Sequence, residues 1–267
     1  MGVKILKKNK LKYEIKKSII GNGIDYHTYD MKILDYLTGY VVGFSLSFIA
    51  NQIFFERFLF SLIVSAIFGF IAINPYRKYL IIKRKKKLLL QFKDFLESLA
   101  ASYSAGKNTQ NAFNDAHADM RELHTDKSYI SKELEIIGVG IENGFNIEEL
   151  LNNFAYRSGI DDIKSFANIF ESGNRVGSNM KTIICDTKEI ISDKIEIEME
   201  IRATIIEKKT ELYIMLAMPF IIILALNGLA DSTFSALNPV NMIIRVLVLF
   251  IILIAFFIGK KITDIST

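Results

Sequence analysis

The sequence predicts an all-α membrane protein in which two transmembrane hairpins, four spans in all, flank a cytoplasmic six-helix bundle. Three observations carry this fold class. Hydrophobic residues make up 51% of the 267, and mean hydropathy is positive. Four apolar stretches, each close to the roughly 20 residues a helix needs to span a bilayer, lie in two pairs towards the two ends of the chain. Between the pairs, apolar residues recur at a helical period and no alternating strand pattern occurs. The expected boundaries are a basic N-terminal segment at 1–32, a first hairpin at 33–76, a helical domain at 77–208, a second hairpin at 209–260 and a tail at 261–267.

Each element has its own justification. The first apolar run, "YLTGYVVGFSLSFIANQIFF", covers Tyr36 to Phe55, and the second covers Phe58 to Tyr76. Two more cover about Leu212 to Ala230 and Val240 to Gly259. The first run begins too far into the chain for a cleaved signal peptide. Lys4, Lys7, Lys8, Lys10, Lys12, Lys16, Lys17 and Lys32 precede it, Arg77, Lys78 and Lys83 to Lys87 follow the second, and Lys260 and Lys261 follow the fourth. The two candidate outer loops hold only Arg57, beside Glu56. Such asymmetry places both termini and the central segment in the cytoplasm. The Lys83–Lys87 run reads as an anchor for anionic lipid headgroups. No base-reading or aromatic pattern accompanies it, so nucleic acid is not an expected partner. The one cysteine, Cys185, excludes an internal disulfide.

Within the central segment, Phe92, Phe95, Leu96, Leu99, Ala100 and Tyr103 share one helical face. Gly106 ends that helix and Asn108 caps the next. The joint, "SYSAGKNT", faintly resembles a phosphate-binding loop, but Ala101 stands where that loop needs glycine and Asn108 where it needs Ser or Thr. A second helix runs from about Thr109 to Glu122, and a third from near Ser128 to just before Gly144. Asn146 with Glu149 reads as a capping box for a fourth, with Ile147, Leu150, Leu151 and Phe154 inward and Gly159 at its end. Asp161 caps a fifth, with Ile163, Phe166, Ala167 and Phe170 on one face. Gly173 and Gly177 make a turn, and Ser178 opens a sixth. No breaker interrupts this last helix before Pro219, a length of about 60 Å at 1.5 Å per residue. Helix and third span then form one rod.

Candidate chemistry is sparse. Asp186, Glu189, Asp193, Glu196 and Glu200 form one acidic stripe on the sixth helix. It reads either as a solvated face balanced in part by Lys194 and Arg202, or as a docking strip for a basic partner. His117 and His124 are seven apart, whereas zinc pairs on one helix prefer a spacing of four. The carboxylate of Asp186 beside Cys185 disfavours a thiolate. Asp35 and Glu211 belong at the cytoplasmic interface, and Arg245 snorkels outward from the fourth span. Nothing indicates a catalytic group, metal or cofactor, so the chain does not read as an enzyme.

Four stretches resemble the F-domain family of type II secretion and type IV pilus machines, and within it the tight-adherence (Tad) pilus platform proteins. They are "FLESLAASYSAGKNTQNAF" (95–113), "GIENGFNIEELLNNFAYRSGIDDIKSF" (140–166), "ESGNRVGSNMKTI" (171–183) and "EKKTELYIMLAMPF" (207–220). The pattern comprises Ala105-Gly106, Gly144, Arg157 and Ser172-Gly173, the last in place of a more usual Gly-Gly. The resemblance covers roughly residues 85 to 225. It implies a non-catalytic inner-membrane platform that couples a cytoplasmic hexameric secretion ATPase to the assembly of pilin subunits. It makes Gly106, Gly144 and Gly173 structural turns and adds Arg157 to the acidic stripe as a candidate partner contact. It also implies that a second F-domain copy, from a homodimer or a paralogue, completes the platform. The alternatives are a small membrane transporter or a signalling component with a helical cytoplasmic domain.

Overall fold

A computed structural model describes residues 19, 23–176, 179–229 and 239–263. Every element among them is a helix: α1 (Ile33–Phe55), α2 (Phe58–Ser104), α3 (Thr109–His124), α4 (Tyr129–Glu142), α5 (Ile147–Ser158), α6 (Asp161–Val176), α7 (Met180–Leu229) and α8 (Pro239–Thr263). Among the described residues, three helical stretches are long and apolar enough to cross a membrane: Ile33–Phe55, Phe58–Ser104 and Val240–Gly259. The chain therefore has the make-up of an all-helical membrane protein. The expected span at 212–230 occupies the end of α7 and runs past the described residues. The expected turn at Gly177 and helix start at Ser178 also lie outside them.

The chain divides into two compact units. One takes the chain up to Asp30 together with Lys78–Ile197; the other takes Met31–Arg77 and the chain from Glu198. Residues 23–30, within the expected N-terminal segment, belong to the first unit. That unit has one core. Phe92, Phe95, Leu96, Leu99, Ala100 and Tyr103 of α2 are buried there, as the helical period requires. They meet Phe113 of α3, Leu134 of α4, Phe154 of α5, Phe166 and Phe170 of α6, and Ile184, Ile191 and Ile195 of α7. The aromatic rings pack edge to face: Phe92 and Phe166 lie 5.5 Å apart at 76°, and Phe113 and Phe170 lie 5.9 Å apart at 86°, the arrangement that ring quadrupoles favour.

Several joints form as the residues dictate. Asn108 and Ser128 accept bonds from the backbone amides of Asn111 and Ser131 at the starts of α3 and α4. Gly106, Gly144 and Gly159 take left-handed backbone conformations at helix ends. Three expectations are corrected. Asn146 occupies the cap position of α5 but its side chain makes no capping bond; carboxylates Glu148 and Glu149 in the first turn face the positive helix end instead. Asp161 is the first residue of α6 and does not precede it as a cap. Gly173 makes no turn, since α6 continues to Val176. A Cβ there would come within 2.6 Å of Ile183 Cδ1, so any larger residue would require the Ile183 side chain to shift where α7 approaches closely. The second apolar run and the first core helix, read separately in the sequence, form the single 47-residue α2 with Pro75 inside it.

In the second unit, α1 packs on the first part of α2 at near-backbone contact. A methyl at Gly43 would overlap the Cβ of Ala72, and one at Gly39 would come within 2.9 Å of the Tyr76 ring. Leu46, Leu59, Phe70, Ile243 and Phe257 are exposed, which suits helices solvated by lipid. Arg245 does not snorkel outward. Its side chain is 8% exposed, donates to the Phe54 carbonyl at 2.8 Å and pairs with Glu56 Oε1 at 2.9 Å. The expected interfacial acids are engaged locally: Asp35 accepts from the Lys32 amide at the start of α1, and Glu211 pairs with Lys208.

Candidate functional site

The first unit presents two polar features, one inside and one outside. The inner one starts from two helices that each place a charge on their apolar stripe. On α4, Ile130, Glu133, Leu134 and Ile137 share a face at three- and four-residue spacing, and on α5 Leu150, Phe154 and Arg157 do the same. Folding the two stripes into one core brings the charges together. Glu133 and Arg157 side chains are 0% and 1% exposed, and the guanidinium grips the carboxylate with two bonds, Nη1 to Oε1 at 2.9 Å and Nη2 to Oε2 at 2.5 Å. Arg157 Nε donates to Asn153 Oδ1 at 2.8 Å, one turn back on α5. A buried ion pair is tolerable when its remaining hydrogen-bonding capacity is filled.

That capacity is filled by the segment ahead of α1. Tyr26 is fully buried, and its hydroxyl donates to Glu133 Oε1 at 3.0 Å. Burial first, then the charge and hydrogen bond of Glu133, push the phenol pKa up, so it stays a proton donor. The Tyr26 amide donates to the Arg157 carbonyl at 3.1 Å, and Arg157 Nη1 donates to the Ile24 carbonyl at 3.0 Å. Arg84 on α2 closes the segment from the other side. Its Nη2 donates to the carbonyls of Asp25 at 2.9 Å and Thr28 at 2.5 Å, and its guanidinium lies over the rings of Tyr26 and Tyr29. His27 lies against Gly159, where a side chain would collide with its ring; Lys85 Nζ donates to the Gly159 carbonyl at 3.0 Å.

The outer feature is the acidic stripe of α7, of which Asp186, Glu189, Asp193 and Glu196 belong to the first unit and Glu200 to the second. Asp186, Glu189, Asp193, Glu196 and Glu200 are all exposed, and none of the five makes an ion pair among the described residues. The expected balancing charges reach elsewhere: Lys194 to Asp162 at 2.6 Å, and Arg202 to Glu198 at 3.9 Å. Exposed Ile190 and Ile197 stand beside the carboxylates, so the face is not purely hydrophilic. Arg157, expected on a contact surface with these acids, is corrected by its burial: its guanidinium is spent inside the unit.

The remaining candidates are structural. Lys107, in the loop 105–108 between α2 and α3, pairs with Asp115. His124 Nε2 lies 2.7 Å from Asp94, half-buried His117 stands apart from it, and no group of three or more metal-ligating side chains occurs among the described residues. Cys185 Sγ lies 3.5 Å from Ser104 Oγ. An open cleft of about 310 Å³ is lined by Gln110, Ile141, Phe145 and Asn174 among others, and its carboxylate, Glu148, is taken by Asn174. Sequence reasoning found the stripe but missed the buried triad of Tyr26, Glu133 and Arg157. The signal for two of its members was present: opposite charges at apolar-stripe positions of consecutive helices. No family model, curated protein or solved structure matches the chain.

Proposed function

We propose that this protein is a non-catalytic platform in the inner membrane, part of a type IV (Tad-like) pilus or type II secretion machine. Its cytoplasmic helical unit is gripped by a hexameric secretion ATPase, and its two hairpins, four spans in all, carry the resulting motion to pilin subunits in the bilayer. A second F-domain copy completes the platform. Both termini face the cytoplasm. The observation that carries this reading is the acidic face of α7. It displays exposed carboxylates beside exposed isoleucines, with the nearby cations Lys194 and Arg202 engaged elsewhere, on a helix that continues into an apolar stretch. Aligned carboxylates at this spacing repel one another by a few tenths of a kcal/mol per pair, and a basic partner reverses that cost.

The test is a triple charge reversal, Glu189→Lys, Asp193→Lys and Glu196→Lys, in the full chain. The variant is expected to insert into membranes with unchanged helix content, to lose co-purification with the ATPase, and to abolish filament assembly. Normal assembly by the variant would reduce the stripe to a solvated face. Co-elution of an ATPase with the wild-type protein, which itself hydrolyses no ATP, separates this function from a transporter or a signalling component.

A further inference from the structure

We propose that Glu133, Arg157 and Arg84 form a receptor site for an extended, tyrosine-bearing peptide, and that residues 24–28 of the chain are its resident, exchangeable ligand. Tyr26 and Ile24 join the hydrophobic core, but the polar contacts of the segment are those of peptide recognition. The segment from 23 to 32 belongs to no helix. Four bonds engage its main chain: Arg157 reaches the Ile24 carbonyl, Arg84 reaches the carbonyls of Asp25 and Thr28, and the Tyr26 amide reaches the Arg157 carbonyl. One aromatic anchor enters the interior, edge-on to Tyr129 at 5.9 Å and 76°. Main-chain bonds supply affinity in such sites and a pocketed aromatic supplies selectivity.

The Glu133–Arg157 part of the receptor is held independently of the segment, whereas Arg84 is placed by its contacts with it. Glu133 and Arg157 are locked by two mutual bonds, and Asn153 holds Arg157 from its own helix. What the pocket lacks without the segment is a neutral donor for Glu133 Oε1, which a phenol supplies and a phenyl ring does not. A phosphorylated tyrosine is rejected, because its charge would face a buried carboxylate. The ligand class is therefore an unmodified tyrosyl peptide in extended conformation. Occupancy by the chain's own segment holds residues 24–28 against α4 and α5. A displaced segment leaves the pocket open to a tyrosine from a second polypeptide. This holds whether or not the protein serves as a platform.

The test uses the full chain in detergent with a protease site inserted at Met31, so that the native segment folds in place before it is cut. After cleavage, the N-terminal piece is expected to stay with the chain on gel filtration. A fluorescent peptide of residues 19–30 is expected to replace it saturably. Against that exchange, a peptide carrying Tyr26→Phe should compete about tenfold more weakly, and one phosphorylated at Tyr26 not at all. The uncut Tyr26→Ala chain should bind the peptide where the uncut wild type does not. Loss of the piece on cleavage with unchanged circular dichroism, retention without exchange, or equal competition by the Tyr26→Phe peptide would each overturn the proposal.

Discussion

At the scale of single residues, the buried triad sets the sharpest expectations. Arg157 compensates a carboxylate with no exposure to water. Arg157→Ala leaves that charge alone in the interior and should cost about 3–5 kcal/mol. Tyr26→Phe removes one hydrogen bond to the same carboxylate and should cost about 1–3 kcal/mol. Hydrogen exchange on α4 and α5 of the full chain reads both; equal protection in wild type and Arg157→Ala would refute the assignment. His117 gives a pH dependence. Burial first, then the Arg121 charge, hold its pKa below the ordinary value, against opposing pulls from Glu135 and Asp126 and a hydrogen bond to the Ser131 backbone. As pH falls, the unfolded chain takes up this proton first, so stability is full above the ordinary histidine value of about 6.5 and declines below it. His117→Gln should flatten the fall in Tm on acidification through that range, and an unchanged slope would show that other groups carry it.

At the scale of elements, α1 and α2 meet where Gly43 and Ala72 leave no room for a larger side chain. Lipid offers apolar helices no hydrophobic reason to pair, so close backbone approach supplies the attraction. Gly43→Leu should part the two helices. Oxidative cross-linking between cysteines at positions 40 and 69, in a Cys185→Ser background, should then drop sharply; persistence of the cross-link would show that the pairing rests on other contacts. The helices themselves were legible because their apolar periods, caps and glycine ends agree: α3 begins at Thr109 behind Asn108, and α4 at Tyr129 behind Ser128. Gly173 was misread because glycine also serves close packing, and a single chain does not say which neighbour will approach. The union of the second apolar run with the first core helix was missed because the basic run between them looked like a boundary. Tyr26 was invisible for a different reason. Its pocket is built by residues far along the chain, with Glu133 lying 107 positions away, and two tyrosines in a short polar stretch carry no helical periodicity. The exposed stripe on α7 was readable, since five acids at helical spacing need no tertiary partner to share a face.

At the scale of the whole molecule, the lysine distribution gives one strong expectation. Cysteines placed on α3 to α6 should react with a membrane-impermeant reagent only after the membrane is opened, as should cysteines near either terminus. Labelling of α3 to α6 from outside intact cells would invert the orientation and end the platform reading, since no cytoplasmic motor could then reach the acidic face.

The two longest helices share one feature. Each has a proline inside it, Pro75 in α2 and Pro219 in α7. A proline donates no backbone hydrogen bond and crowds the carbonyl four residues earlier, here that of Ile71 and of Met215. A helix is otherwise a nearly uniform elastic beam, and a single softened turn changes how it deforms. Bending load gathers at that turn, and the segments on either side keep their stiffness. In mechanical terms each long helix is a pair of struts with a compliant joint, so the sequence sets the position of the flexure to within one turn while leaving its amplitude to the applied force.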